Sequence, residues 1–375
     1  MQRWNKDVLV RGLHAIATEH GNATEHSNTA GLDSIALSVR QKLRLARIAA
    51  HDLKPMPDKG LAHDHLLIDG TDLLLRIPKQ SQLALSAEDN LVYQSRCFMR
   101  MLPSNHTPRL YGVLPASAEL QMGALLVERI VGHVPQHAGD FESIARALAA
   151  IHRLPLPDEN QRAPLLNQKN ALIDTFREIE AQSRYLSAAR LDNRSYRMID
   201  AELEKARLEV SALDAPPVCL ISFDAHPGNY LLDAEGRAML VDLEKARYGG
   251  AGFDLAHASL YTSTTWDTDI NIVLERQDLE NFHAAWLHAV PDEFAAAMQP
   301  YLVPMRRLMW LWSVTWCAKW KVESRASVVE QKHRAENTED WAQANNPDDL
   351  VNHVRDRVDH YLQGDVINRI RDDFT

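Results

Sequence analysis

The fold of this chain is decided by residues 221–257, which read ISFDAHPGNYLLDAEGRAMLVDLEKARYGGAGFDLAH. Asp224 and Asn229 stand five positions apart, and Asp242 follows thirteen positions later at the end of an apolar run. The turn at Asp233–Gly236 separates two strand-like runs, VCLISF and AMLVDL, and a turn of this composition predicts a β-hairpin. Folding that hairpin brings Asn229 and Asp242 to one end, with Asp224 in the loop just before them.

These three polar residues have the chemistry that phosphoryl transfer from ATP requires. The magnesium ions that neutralise the phosphates prefer hard oxygen ligands, which the Asn229 amide and the Asp242 carboxylate can supply. A further carboxylate must orient the attacking hydroxyl and accept its proton, and Asp224 is placed for that role. Asp and Asn are also common in surface turns, so the alternative explanation is a surface hairpin without a catalytic role. A surface hairpin does not explain why an apolar strand ends in Asp242, so we favour the catalytic interpretation.

The same stretch resembles the catalytic region of the aminoglycoside phosphotransferase and choline kinase family. The family pattern reads roughly HGDxHPGNxLxD, then a strand, IDWE or IDFE, and a spaced DLA; this chain has SFDAHPGNYLLD, VDLE and FDLA. The resemblance implies a two-lobed, protein-kinase-like fold, with Asp224 as catalytic base and Asn229 and Asp242 as metal ligands. It also implies that Asp254 tethers the catalytic loop. Ser222 replaces the family's usual histidine and can hydrogen-bond to backbone instead.

Two further residues of this stretch have more than one possible role. His226 lies inside the loop, where the family often has histidine, and we favour a structural role for it over a catalytic one. Glu244 follows Asp242 by two positions. It is either a solvated glutamate or a carboxylate that supports the metal or faces the substrate.

Hydrophobic patterning along the rest of the chain predicts an α+β protein. The first fifty residues read as helical, most clearly DSIALSVRQKLRLARIAAH at 33–51. Short apolar runs separated by turns within 51–78 predict three antiparallel strands, because Asp-Gly between two apolar runs signals a hairpin. A helix is expected at about 86–102 and two more strands within 107–132. A helix at 140–154 then opens a mostly helical remainder.

These patterns predict a division of the chain into three segments. We expect an N-terminal helical segment at 1–50, a nucleotide-binding lobe with an antiparallel sheet at 51–130, and a mostly helical lobe at 131–375. The last of these carries the catalytic loop and the substrate site. The length of 375 residues is sufficient for two lobes.

Three short segments of the expected nucleotide-binding lobe resemble nucleotide-contacting elements of the family. LLVERIVGHVP at 125–135 resembles its hinge, which implies that the carbonyl of Glu128 and the N–H of Ile130 pair with adenine; an ordinary edge strand is the alternative. Gly60 lies where the nucleotide-covering hairpin is expected. Arg76 would take the place of the family's phosphate-contacting Lys or Arg, because a guanidinium can bind two phosphate oxygens. A surface arginine at a strand end is the alternative, and the acidic partner of Arg76 is left unassigned.

The segment RRLMWLWSVTWCAKWKVES at 306–324 contains four tryptophans, Trp310, Trp312, Trp316 and Trp320. It is similar to a choline kinase helix whose aromatic residues enclose a quaternary ammonium group. A helix core filled by indoles is the alternative, and we favour it for any single tryptophan. We nevertheless expect the substrate pocket to lie between the catalytic loop and the C-terminal helices, with at least one of these indoles on its wall.

Composition limits the class of partner and the compartment. The net charge of −10 argues against a general nucleic-acid binder, whose affinity depends on Lys and Arg facing phosphates. Three widely spaced cysteines favour a reducing compartment. The start of the chain lacks the apolar core of a signal peptide, and the longest apolar stretch, at 308–318, is too short to span a bilayer. We therefore expect a cytoplasmic protein without a membrane partner.

The function predicted from these observations is ATP- and Mg²⁺-dependent phosphorylation of a hydroxyl on a small molecule that is aminoglycoside-, choline- or sugar-like. A protein kinase is disfavoured, because 243–265 shows no activation-loop segment followed by Ala-Pro-Glu. A nucleotide-binding pseudokinase is the main alternative, suggested by Ser222 and by the missing acidic partner of Arg76. The ordered set of catalytic carboxylates and amide disfavours a structural or adaptor protein.

Overall fold

The computed structural model describes residues 4–19, 35–57, 62–324, 348–372 and 374. The chain divides into two compact units. The first contains the described residues up to Pro103 together with Thr107–Val131, and the second contains Ser104–His106 and the described residues from Gly132 onward. A sheet dominates the first unit and helices dominate the second. The α+β class that the sequence predicted is therefore confirmed.

A five-stranded antiparallel sheet forms the centre of the first unit. Its strands are β1 (Leu53–Pro55), β2 (His63–Ile68), β3 (Leu73–Pro78), β4 (Leu110–Leu114) and β5 (Ala124–Glu128). They are arranged in the order β1-β2-β3-β5-β4. Gly70 has a φ of +71° in the turn between β2 and β3, a conformation that glycine adopts at little cost. The strands predicted within 51–78 and 107–132 are confirmed.

Helices of the first unit pack on this sheet. Their bounds are α1 (Lys6–Glu19), α2 (Val39–Leu45) and α3 (Ala87–Met101). Leu9 and Leu13 of α1 and Leu45 of α2 belong to the same buried hydrophobic core as Leu66 of β2 and Leu75 of β3. The N-terminal helices therefore share their core with the sheet, and α3 confirms the helix predicted at about 86–102.

The helix predicted over 33–51 is wrong in extent, because α2 begins only after Ser38. The Ser38 side chain accepts a hydrogen bond from the Gln41 N–H, and the Gln41 side chain accepts one from the Ser38 N–H. This reciprocal capping box defines the helix start. Just before it, the Ile35 N–H donates to the Leu110 carbonyl at 2.9 Å, so residues before Ser38 bond to the start of β4 instead.

Helices form most of the second unit. Their bounds are α4 (Phe141–His152), α5 (Ala171–Ser183), α6 (Asn193–Ala212), α7 (Ala251–Ser259), α8 (Tyr261–Thr264), α9 (Arg276–Ala289), α10 (Asp292–Met298), α11 (Leu302–Glu323), α12 (Asp348–Tyr361) and α13 (Gly364–Asp372). Helix α11 packs against α5, α6, α7 and α12, whereas α4 packs against α9. Helix α4 confirms the helix predicted at 140–154. Among the described residues, no helix is both long and apolar enough to cross a bilayer.

The motif at 221–257 contains two short antiparallel strand pairs, of which only the first strand begins before it. Strand β6 (Cys219–Ile221) pairs with β9 (Arg247–Gly249), and β7 (Tyr230–Leu232) pairs with β8 (Ala238–Leu240). The predicted hairpin therefore exists, but its first strand is β7, and the VCLISF run pairs with β9 instead of AMLVDL. The physical reason lies in the loop, where Pro227 begins a 3₁₀ turn that separates β6 from the hairpin.

Candidate active site

Asn229 and Asp242 lie at the same end of the β7–β8 hairpin, as the sequence predicted. The Val241 N–H donates to the Asn229 carbonyl at 2.9 Å, and Asp242 is the next residue. The Asn229 side-chain amide donates to the Asp224 carbonyl at 2.8 Å. Because this bond uses the amide nitrogen, it leaves the Asn229 Oδ1 as the atom that can bind a cation. An amide oxygen and a carboxylate are the donor set that Mg²⁺ prefers, so these residues fit that ion.

The residue before Asp224 has a strained backbone. Phe223 has a φ of +59°, in the left-handed region that bulky residues rarely adopt. Asp254, fully buried in the first turns of α7, accepts the Ser222 N–H on Oδ2 and the Phe223 N–H on Oδ1, both at 2.7 Å. Such strain persists only where the surrounding structure holds it in place. These bonds confirm the tether predicted for Asp254.

Ser222 supports the catalytic loop from within. Its Oγ accepts the Asp224 N–H at 3.2 Å, and the residue is fully buried. The serine therefore makes the backbone hydrogen bond that the sequence allowed for. The serine that replaces the family's histidine therefore still supports Asp224. For this reason, Ser222 argues less strongly for a pseudokinase than it did from the sequence alone.

The Asp224 carboxylate lies among cationic groups and imidazoles. Its Oδ2 is 3.0 Å from the Lys245 Nζ, and its Oδ1 is 3.8 Å from the His257 Nδ1. Burial alone would raise the pKa of Asp224, but Lys245, His226 and His257 outweigh burial and hold that pKa below its ordinary value. Asp224 is therefore an anion at neutral pH, the form that accepts a hydrogen bond or a proton from a hydroxyl.

Two imidazoles lie next to each other beside this carboxylate. The ring centres of His226 and His257 are 5.9 Å apart in an edge-to-face arrangement. Burial lowers the pKa of His257 to about 4, and the Asp224 carboxylate only partly opposes that effect. His257 is therefore neutral at pH 7. Among the described residues, none makes a hydrogen bond to the Nδ1 of either ring, and both of these atoms are buried.

Phe223 is held between an arginine and a tryptophan. The Arg247 guanidinium lies 3.7 Å from the centre of the Phe223 ring, and the Trp312 ring meets it edge-on at 5.7 Å. Glu178 of α5 joins these two partners: its Oε1 accepts from Arg247 at 2.9 Å and its Oε2 accepts from the Trp312 Nε1 at 3.2 Å. Helices α5 and α11 are thereby fixed to the residue that precedes Asp224.

The four tryptophans of α11 divide into two pairs. Trp310 and Trp320 are buried, and their indole nitrogens have no partner among the described residues, so these two fill the helical core. Trp312 and Trp316 are partly exposed. Trp316 packs edge-on against Trp266 with ring centres 5.6 Å apart. Only the second pair is therefore available to a ligand near the catalytic loop.

Glu244 is buried, with 5% of its surface exposed. That excludes the solvated glutamate that the sequence left open. The alternative, a carboxylate that supports the metal or faces the substrate, remains a prediction.

The expected nucleotide-contacting residues lie in the first unit. Arg76 on β3 is buried, and its Nη2 donates to the His63 Nδ1 at 3.1 Å, so it is not a surface arginine. Just after β5, the Arg129 N–H donates to the carbonyl of Asp72, the residue before β3. The Glu128 N–H donates to the Arg109 carbonyl at 2.8 Å, and pairing of the Glu128 carbonyl and the Ile130 N–H with adenine remains a prediction. Gly60 lies outside the described residues.

Sequence reasoning missed several groups around Asp224. Lys245 and His257 lie within 221–257, and the three-residue interval from Asp254 to His257 on α7 was a signal that these residues share a helix face. Glu178 left no local signal, because 69 positions separate it from Arg247.

Comparison with known proteins places this geometry in a family. The model of a phosphotransferase enzyme family matches residues 65–295. A putative aminoglycoside phosphotransferase from Ralstonia eutropha has a similar fold, with 12% identity over 84% of this chain and 93% of that chain and a TM-score of 0.55. A choline kinase from Cryptosporidium parvum shows 13% identity over 88% and 93% of the two chains, with a TM-score of 0.54.

An ethanolamine kinase from Plasmodium vivax has 11% identity over 85% of this chain and 84% of that chain, with a TM-score of 0.54. At such identities these likenesses concern the fold. No curated protein matches the sequence significantly. The family model covers well over half of the chain and includes the whole catalytic loop. The chain therefore belongs to the phosphotransferase enzyme family, with the fold that its kinase relatives share.

Proposed function

We propose that this protein transfers the γ-phosphoryl group of ATP to a hydroxyl group of a small molecule. One observation carries the proposal: Asp224 is a buried anion in the loop before a hairpin that has Asn229 and Asp242 at one end, and the bond from the Asn229 amide nitrogen to the Asp224 carbonyl leaves the amide oxygen for a cation. A base and two hard-oxygen ligands on one short loop and hairpin are what phosphoryl transfer needs from a protein.

In the proposed reaction the acceptor hydroxyl donates its hydrogen bond to Asp224, which orients the oxygen toward the γ-phosphorus. The oxygen attacks phosphorus as the bond to the β,γ-bridging oxygen breaks, ADP leaves, and the hydroxyl proton passes to Asp224. The anionic state of Asp224 at neutral pH supports this role. Lys245, on the other carboxylate oxygen, restricts the carboxylate to one orientation.

Asn229 and Asp242 are the proposed Mg²⁺ ligands. When bound, the ion would neutralise phosphate charge. In the first unit, we propose that adenine pairs with the Glu128 carbonyl and the Ile130 N–H, and that Arg76 contacts a phosphate. The burial of Arg76 supports this assignment, because a buried guanidinium is suited to an anionic ligand more than to water.

The surroundings of the loop favour an acceptor with a positive charge. Asp267 approaches the loop so closely that a Cβ on Gly228 would lie 2.5 Å from its Oδ2. Trp312 and Trp316 are the partly exposed indoles of α11, and aromatic faces attract organic cations. Carboxylates and indoles together suit an amino alcohol or an aminoglycoside better than a neutral sugar.

An ADP-release screen tests the proposal. The acceptors are aminoglycosides, choline, ethanolamine, other amino alcohols and neutral sugars, each with and without Mg²⁺, and Asp224→Asn serves as the control. We expect Mg²⁺-dependent ADP release with a cationic acceptor and none from the variant. Binding of Mg-ATP without turnover on any acceptor would favour the pseudokinase alternative, and turnover only on neutral sugars would contradict the charge argument.

A further inference from the structure

A buried histidine outside the motif contacts the residue that holds the catalytic loop. His152, the last residue of α4, is buried, and its Nε2 lies 3.1 Å from the Asp254 Oδ2. Asp254 therefore has three partners, the N–H groups of Ser222 and Phe223 and this imidazole. A fully buried carboxylate needs such partners, because burial without them is strongly unfavourable.

A tryptophan on a different helix fixes the state of that imidazole. The Nε1 of Trp286, on α9, lies 3.0 Å from the His152 Nδ1. An indole N–H can only donate, so Nδ1 must be the acceptor and carries no proton. The hydrogen of the neutral ring is then on Nε2, where it is donated to Asp254. The bond from Trp286 thus selects the one neutral tautomer of His152 that can support Asp254.

These contacts form one chain of hydrogen bonds from α9 to the catalytic loop. Trp286 donates to His152, His152 donates to Asp254, and Asp254 accepts the backbone N–H groups of Ser222 and Phe223. All three side chains are buried, so water does not replace a lost bond without a rearrangement of the core. The chain ends at Phe223, whose left-handed backbone most needs external support.

We propose that Trp286 and His152 are positioning residues for phosphoryl transfer, acting through Asp254 to hold the Phe223 backbone and hence Asp224 in the reactive arrangement. The proposal rests on the phosphotransferase function proposed above. It assigns a role to α9, a helix outside the motif. Removing the indole nitrogen leaves the His152 Nδ1 without its donor, so the ring is no longer held from both sides in the orientation that supports Asp254. The loop then populates relaxed backbone conformations in which Asp224 is misdirected.

The first test compares Trp286→Phe with Trp310→Phe. Both indoles are fully buried in the second unit, but the Trp310 nitrogen has no partner among the described residues, so the control removes the same atoms without touching the chain. Two quantities are measured: amide hydrogen exchange of a peptide spanning 219–230 by mass spectrometry, and ADP release with Mg-ATP and the best acceptor of the screen.

We expect Trp286→Phe to accelerate exchange in that peptide and to lower kcat by about tenfold, which corresponds to about 1.4 kcal/mol in the activation free energy. The Kd for Mg-ATP should stay unchanged, and Trp310→Phe should alter neither exchange nor kcat. Equal effects of the two variants, or unchanged exchange in Trp286→Phe, would overturn the proposal.

Substitution of His152 gives a second test should Trp286→Phe fail to fold. His152→Gln keeps an N–H donor for Asp254 and a carbonyl acceptor for Trp286, whereas His152→Leu removes both. Recovery of slow exchange and of most of kcat in the glutamine variant relative to the leucine variant supports the positioning role. Identical behaviour of the two variants contradicts it.

The exchange measurement also separates this proposal from the proposed function, because it needs no acceptor. A wild-type protein that releases no ADP would refute the phosphotransfer, while the exchange rates would still decide whether Trp286 and His152 hold the loop.

Discussion

The Lys245 ammonium lies 3.0 Å from the Asp224 Oδ2, so the proposed catalytic base is ion-paired before any substrate binds. The lysine side chain is mostly shielded from solvent and the carboxylate more so, which strengthens the pair relative to an exposed one. The lysine bonds to Oδ2, and Oδ1, which lies 3.8 Å from the His257 Nδ1, is the oxygen that we propose accepts from the hydroxyl. The pair thereby sets both the charge and the direction of the base.

Lys245→Met should shift the acid limb of the kcat/KM profile to higher pH. Lys245 helps to hold the pKa of Asp224 below its ordinary value, so removing the ammonium raises that pKa and Asp224 becomes protonated at a higher pH. Loss of a charge-assisted bond should also lower kcat at neutral pH by about tenfold. Lys245→Arg, which keeps the charge, should retain a limb close to that of the wild type. A methionine variant with an unshifted limb would contradict this role.

Asp224→Asn should lower kcat by about 10²- to 10⁴-fold and leave the affinity for Mg-ATP nearly intact. The asparagine keeps the shape of the side chain but cannot take the proton. ADP release gives kcat, and calorimetric titration gives the affinity. Glu235→Gln, an exposed position in the hairpin turn, is the matched control for loss of one carboxylate. A variant that retains more than about a tenth of the wild-type kcat would exclude Asp224 as the base.

Asp242→Ala should weaken the binding of ATP in the presence of Mg²⁺ and have little effect in its absence, because the ion is expected to link this carboxylate to the phosphates. Titration of ATP with Mg²⁺ and with EDTA measures the two affinities. Glu235→Ala should bind like the wild type under both conditions. Equal Mg-ATP affinities of wild type and Asp242→Ala would remove Asp242 from the metal site.

His283→Gln should make the protein less sensitive to mild acid. Burial, aided by Arg306, lowers the pKa of His283 to about 4, whereas an unfolded histidine titrates near 6.5. Between those values the unfolded chain binds a proton that the folded chain does not, so wild-type stability falls as the pH falls. Denaturant unfolding measures the free energy of unfolding at pH 7 and at pH 4.5. Between these pH values the variant should lose less of that free energy than the wild type, by up to about 2 kcal/mol.

The control for that experiment is His288→Gln on the same helix. His283 contacts the Leu279 carbonyl through Nδ1 at 2.9 Å, and exposed His288 contacts the Ala284 carbonyl in the same way at 2.6 Å. The two substitutions therefore remove the same local bond and differ in burial. Equal pH sensitivity of the two variants would show that burial of His283 is not the cause.

Sequence alone determined the elements that local pattern encodes. The turn at Asp69-Gly70 and the apolar runs beside it specified β2 and β3. A glycine with positive φ and an apolar run on each side of it are features that a short segment encodes by itself. The order of Asp224, Asn229 and Asp242 likewise predicted a common end of a hairpin, since one turn joins the two strands. The extent of α2 and the first strand of that hairpin were predicted wrongly.

Tertiary structure decided the rest, because partners far apart in the chain leave no periodic signal. Strand β6 could have paired with either β8 or β9. The 3₁₀ turn that begins at Pro227 separates β6 from the β7–β8 hairpin, and β6 pairs with β9. Which indoles of α11 are buried depends on the helices packed around it, because intervals of two and four positions place the four tryptophans on more than one face of the helix. The chain from Trp286 through His152 to Asp254 spans 134 and then 102 positions. Only packing of α4 against α9 and α7 brings these atoms within hydrogen-bonding distance.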